Sequence, residues 1–262
     1  METLIIVLLY VVTFFLGASA GSFALVIVRR SHNKENGSWV TGKSVCESCK
    51  KTLKWWELIP FVSYLVLRGK CSKCKAKIDP SHFFCETSVG VAYVILLWTF
   101  LTGRVDMYEA LVLVGAHTIL IALSFGDILY REIQVIPVYV LGMIAAVYNG
   151  ITSEKYYMIA VVVALFVISF FIGRKDNFFA LGAGDIDVAI AIFALTFSGF
   201  AFLDMLMYGA VVGIVLALTV LRKKDTGIPF VPCMYIGYVI SACGVSAMTA
   251  IYNLVTQILL LK

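Results

Sequence analysis

Thr3-Leu4-Ile5-Ile6-Val7-Leu8-Leu9-Tyr10-Val11-Val12-Thr13-Phe14-Phe15-Leu16 opens a stretch that runs to Val28 without one charged residue. Roughly 20 apolar residues are enough to cross a bilayer as a helix. Ala18-Ser19-Ala20 has the look of a signal-peptidase site. However, the residues before the apolar run carry Glu2 and no cation, and Arg29 and Arg30 follow it instead. That pattern predicts a retained helix that starts outside the cell rather than a cleaved leader.

The same character extends along the 262 residues, of which 61% are hydrophobic and 14% charged. This excludes an ordinary soluble domain and predicts an all-α polytopic membrane protein, because lipid leaves backbone groups no water to bond. Apolar runs predict eight spans, at 4–28, 83–102, 107–127, 134–150, 156–173, 186–200, 204–221 and 232–257. The segments after the first, third, fifth and seventh spans hold eighteen lysines and arginines; the other side holds Arg104, Lys155 and Lys262. The positive-inside rule then puts both termini outside and the large basic loop in the cytoplasm. The net charge of +5 is read as topogenic, facing anionic lipid, with no nucleic-acid partner. Residues 1–82 form one region, a helix and a polar loop. Residues 83–262 form a second, nearly continuous apolar helix with no evident repeat.

Within the loop, Cys46-Glu47-Ser48-Cys49 and Cys71-Ser72-Lys73-Cys74 pair at a spacing that suits a tetrahedral site of four thiolates. Cytoplasmic thiols stay reduced, which disfavours disulfides. The expectation is a structural zinc ion on Cys46, Cys49, Cys71 and Cys74. Cys85, Cys233 and Cys243 are expected to be small packing residues. Between the pairs runs Trp55-Trp56-Glu57-Leu58-Ile59-Pro60-Phe61-Val62-Ser63-Tyr64. It reads either as a segment lying on the membrane or as a re-entrant piece lining a substrate site, and chemistry alone does not choose.

Two acids stand out. Asp127 ends the third span and Asp185 opens the sixth in Gly182-Ala183-Gly184-Asp185, so the topology puts both at the cytoplasmic face. Charges inside membrane segments are costly and usually functional. Two neighbouring carboxylates cannot both ionise cheaply, so the pair holds one proton; the ionised member takes a proton from water while the other donates to a carbonyl. Gly182 and Gly184 would let a substrate or backbone approach. The bland alternative is that Asp185 merely caps a helix. Asp187 competes for its role, but two residues on is about 200° around a helix, so the two acids cannot face one point. Asp106, Glu109, Glu154 and Asp204 are expected on the outer side, solvated.

Taken together, these motifs resemble the type IV prepilin peptidases, membrane aspartic proteases of the G-x-G-D type. The resemblance rests on Gly21-Ser22-Phe23 with Arg29, the double cysteine loop, Trp56 to Tyr64, Arg68-Gly69-Lys70-Cys71, Glu86, Asp127 with Arg131-Glu132-Ile133, Gly182 to Asp185, and Ile228-Pro229-Phe230-Val231-Pro232. Leu25, Gln134 and Asp187 depart from it, standing where asparagine, proline and lysine are usual. The resemblance implies a bacterial inner-membrane enzyme that cuts membrane-inserted prepilins or pseudopilins after a glycine, using Asp127 and Asp185. It also implies N-methylation of the new terminus with S-adenosylmethionine by the region 1–82, with Glu86 touching the cofactor or the new amine. A zinc-loop adaptor without catalysis and a small proton-coupled transporter are the alternatives. Oligomeric state is not legible.

Overall fold

The computed structural model describes residues 2–33, 43–172, 182–219 and 228–244. Helices dominate them, as expected, and two compact units follow each other along the chain, Met1–Gly126 and Asp127–Lys262. The packing boundary lies beyond the division at residue 82 read from composition, because the first helix is built against the helix that follows the loop.

In the first unit, α1 (Glu2–Asn33) packs along α3 (Pro80–Leu101). Small residues permit it: a methyl placed on Gly17 would come 2.8 Å from the Val89 carbonyl, and one on Gly90 would come 2.7 Å from the Phe14 ring. Such close approach substitutes for the hydrophobic driving force that lipid removes. The short helix α2 (Val62–Val66) and a 3-10 turn at Trp55–Leu58 lie in the loop. Asp79 caps α3 by accepting from Ser81 N–H at 2.9 Å, with Pro80 at the first helical position. The long helix α4 (Met107–Tyr130) begins here, where Asp106 accepts from Glu109 N–H at 2.8 Å.

The last turn of α4, from Asp127, belongs to the second unit. There, α5 (Val135–Thr152) packs against α6 (Tyr157–Ile172) and α7 (Ala183–Thr196). Val188, Ala191, Ile192 and Ala194 of α7 are fully buried, so this helix is the core of the unit. The remaining pair, α8 (Gly199–Thr219) and α9 (Phe230–Ala242), is a close one: a methyl on Gly209 would come 3.1 Å from the Cys233 carbonyl.

Among the described residues, α1, α3, α4, α5 and α8 are long and apolar enough to cross a membrane, and α6 and α9 are shorter apolar helices. Several sequence expectations change here. The sixth span does not reach residue 200. Phe197 adopts a left-handed conformation, φ 43°, and Asn149 Nδ2 donates to the Ala194 and Leu195 carbonyls at 2.9 and 3.0 Å, which ends α7 at Thr196. Ser198 Oγ accepts from Ala201 N–H, so α8 starts at Gly199 rather than 204. Asp204 therefore sits within α8, wholly buried rather than solvated. The helix expected over 232–257 stops at Ala242, where Gly244 takes φ 83°, a common device for ending helices. Residues 245–257 of that span lie outside the described ones, as do Lys34, Arg174, Lys175 and Arg222 to Lys224 from the charge count. Cys85 and Cys233 are buried as expected, but Cys243 is exposed, because it caps α9 instead of packing within it.

Asn149 carries two of the carbonyls that α7 leaves open at its end. Asn149→Ala should lower the unfolding free energy in detergent by roughly 1–3 kcal/mol, read from the denaturation midpoint. An unchanged midpoint would mean that these carbonyls find other partners.

Candidate functional site

The second unit brings Asp127 and Asp185 together. Asp127 is buried in the last turn of α4, and its Oδ2 accepts from Val231 N–H at the start of α9, 3.1 Å away. After it, Arg131 turns the chain with φ 57°, its N–H donating to the Asp127 carbonyl at 3.1 Å. That turn delivers Ile133 onto the start of α7. A methyl on Gly184 would come 2.9 Å from Ile133, so this glycine is required by close approach, here of the protein's own chain. Gly182 is exposed, with an ordinary extended backbone, and its N–H donates to Asp185 Oδ2 at 3.2 Å. Asp185 thus reaches back to the residue before the helix, as half of a capping box does. The Asp127 charge acts on Asp185, and both act on the Cys233 thiol. The three side chains converge from the ends of α4, α7 and α9.

Asp187 is turned the other way. It is 3% exposed and accepts from the Tyr139 hydroxyl of α5 at 3.2 Å. The spacing along α7 separates the two acids as the helical period requires. From sequence, Cys233 is expected only to pack, and nothing there marks the Val231 N–H. Only the proline-bracketed stretch before the last span pointed at this region.

In the first unit, the four cysteine sulfurs lie within 4.8 Å of one another, so Cys46, Cys49, Cys71 and Cys74 are close enough to bind one metal ion. Cys46 Sγ and Cys74 Sγ are 3.8 Å apart, the edge length of a sulfur tetrahedron around an ion with bonds of about 2.3 Å. The donor set fits the group. Two matching turns build it. Cys46 N–H donates to the Lys51 carbonyl and Cys71 N–H to the Ala76 carbonyl, each at 2.9 Å, and Lys50 and Lys75 take φ 55° and 61°. The repeated Cys-x-x-Cys-Lys pattern is the sequence signal for this internal symmetry. The Cys74 and Lys73 backbone N–H groups hold the Cys71 thiol down at about 6, while burial and the neighbouring cysteines push Cys74 up to about 11, so Cys71 is the readier thiolate of the two.

Glu57 joins the two turns. Its side chain is 1% exposed, Lys51 Nζ donates to both its oxygens at 2.8 and 2.9 Å, and Lys54 N–H and the Ser72 hydroxyl also donate to it. Lys51 first, then these donors, pull its carboxyl down to about 2. Arg29, at the end of α1, reaches Glu47 at 3.0 Å, Asp79 at 2.5 Å and Ser81 Oγ at 2.6 Å. It ties α1 to the loop and to the start of α3. Between these groups lies a cavity of about 460 Å³, lined among others by Ser22, Arg29, Glu57, Tyr64, His82 and Glu86. Glu86 is buried, and its Oε2 accepts from Phe61 N–H at 2.7 Å.

Comparison with known proteins points the same way as the cysteine cluster and the apolar helices. Residues 15–100 match the model of the bacterial peptidase A24 N-terminal domain. The chain is similar to prepilin leader peptidase/N-methyltransferases. It is 27% identical to that of Vibrio cholerae over 73% of this chain and 78% of the relative. It is 25% identical to that of Pseudomonas aeruginosa over 86% of each, and 28% identical to that of Legionella pneumophila over 76% and 71%. No solved structure matches. With relatives of one name aligned over most of its length, the chain resembles the type IV prepilin peptidases, which supports an enzyme of that kind.

Proposed function

We propose that this protein is a membrane aspartic endopeptidase that removes the short basic leader of type IV prepilins or pseudopilins after a glycine, at the cytoplasmic face, and then N-methylates the new terminus. The observation that carries the reading is the meeting of Asp127 and Asp185 within one unit, each held by a backbone N–H. Two carboxylates at one point share a proton. The ionised one draws a proton from water as it attacks the scissile carbonyl; the protonated one donates to the carbonyl oxygen, and the proton passes to the leaving amine. Gly182, exposed at the rim, leaves room for an extended substrate. The substrate's own apolar helix stays in the bilayer while its leader lies among the cytoplasmic charges.

The region 1–82 is the methyltransferase half in this reading, and 83–262 the peptidase half. Cys46, Cys49, Cys71 and Cys74 would hold zinc as a structural ion, since four protein ligands leave no open position. S-adenosylmethionine would supply an electrophilic methyl group. The cavity beside the loop offers it a place, and Glu86, on the cavity wall, is the carboxylate that would meet ribose hydroxyls or the incoming amine. The family relationship supports a bacterial inner-membrane setting, and the distribution of cations supports both termini outside.

Asp127→Asn and Asp185→Asn should each lower prepilin cleavage by about 10²–10⁴-fold, with helical content unchanged. Asp187→Asn should retain most of it. Full cleavage by either of the first two variants would remove the dyad, and loss confined to Asp187→Asn would point to the wrong acid. Elemental analysis of purified protein should find zinc stoichiometric with the chain and absent from a Cys46→Ser/Cys74→Ser variant. Mass spectrometry of the cleaved pilin, with and without S-adenosylmethionine, should find one added methyl group only with it. An unmethylated terminus in both would confine the enzyme to proteolysis.

A further inference from the structure

The segment between the two cysteine turns lies deeper than a cytoplasmic loop should. The Phe61 ring stacks on Phe83 at 5.3 Å and meets Phe14 edge-on at 5.5 Å. Phe14 lies fifteen residues before Arg29 on α1, about 22 Å along the axis. Arg29, with Glu47 and Asp79, marks the polar end of the same helix pair. Phe83 lies three residues into α3. Phe61 is therefore held between these levels, inside a hydrocarbon layer whose half-thickness is about 15 Å.

Non-helical backbone survives at that depth only if the protein satisfies it. The turn does so. Pro60 has no N–H. Phe61, at φ 65°, gives its N–H to Glu86, while Val62 and Ser63 donate to the Pro60 and Ile59 carbonyls at 2.7 and 3.0 Å. Charge placement agrees: from Trp55 to Leu67 the one charged residue is the buried, paired Glu57, and Lys54 and Arg68 bracket the segment.

The segment has two sides. Ser63, Tyr64 and Leu67 line the cavity that also touches Glu86. Trp55, Leu65 and Val66 are 78%, 51% and 67% exposed. We infer that residues 55–67 form a re-entrant wedge whose outer apolar side is covered by lipid acyl chains, with Lys54 and Arg68 among anionic headgroups, so that the wedge is the lipid-side wall of the cavity. Exposed leucine and valine at this depth meet hydrocarbon at no desolvation cost. The cations at both ends find phosphate.

The test uses zinc-loaded full-length protein in nanodiscs of mixed zwitterionic and anionic lipid. Trp39→Phe, Trp56→Phe and Trp98→Phe leave Trp55 as the single tryptophan. A second protein carries Val66→Trp and Trp55→Phe in that background. With lipids brominated on the acyl chains, emission should fall by more than half at both positions, and aqueous acrylamide should scarcely affect the one at 66. Quenching by acrylamide and not by bromine would mean a loop in water. Quenching by neither would mean a protein partner covers the face; both outcomes overturn the wedge. In the unmodified protein, the amides of 59–67 should exchange with deuterated water as slowly as those of α3. Exchange as fast as an open loop would overturn the wedge without reliance on any variant.

Discussion

Every break in a helix leaves backbone N–H groups without partners, and in a bilayer no water is at hand to take them. This chain answers with carboxylates. Glu86 takes the N–H of Phe61 before α2, Asp185 that of Gly182 before α7, and Asp127 that of Val231 at the start of α9. Elsewhere the habit continues, with Asp79 at the start of α3 and Glu57 on Lys54 N–H. Glu86, Asp185 and Asp127 are thus placed first by backbone geometry, in or beside segments where charge is costly.

That arrangement suits the hydrolysis proposed for Asp127 and Asp185. A carboxylate fixed by an N–H keeps its position whether or not it carries a proton, so the pair need not reorganise as protons move. The consequence is a division of labour along α7. Asp185 faces Asp127 and Cys233, whereas Asp187, two residues on, faces Tyr139 and the packed interior. An acid where the resemblance leads one to expect lysine is accommodated by turning it away from the pair.

How much of this was legible in the sequence depends on the range of the interaction concerned. Fold class followed from Thr3 to Val28 and its successors, since hydropathy is a sum over local residues. The cysteine cluster followed from spacing, because each Cys-x-x-Cys turn is built from its own few residues. Charge counting predicts one membrane face for Asp127 and Asp185, but it fixes no distance between them. Helix ends did not follow. The end of α7 depends on Asn149, more than forty residues earlier, and no window of local sequence contains both partners. Asp204 departs from expectation for the same reason: it is buried in α8, a helix that packs closely on α9. The depth of Phe61 rests on Phe14, forty-seven residues away.

The contacts of Arg29 have a temporal side. Asp79, its partner at the start of α3, lies 50 residues further along the chain. At about 5–20 residues per second of synthesis, some 3 to 10 seconds separate the two. Throughout that interval α1 is made, and Arg29 holds its place at the membrane surface with only the loop for company. The loop is thus complete, with both cysteine turns, just before the residue that ties it to the membrane helices emerges. The order of the chain lets the cysteine knuckle form in open solvent and be drawn against the bilayer afterwards.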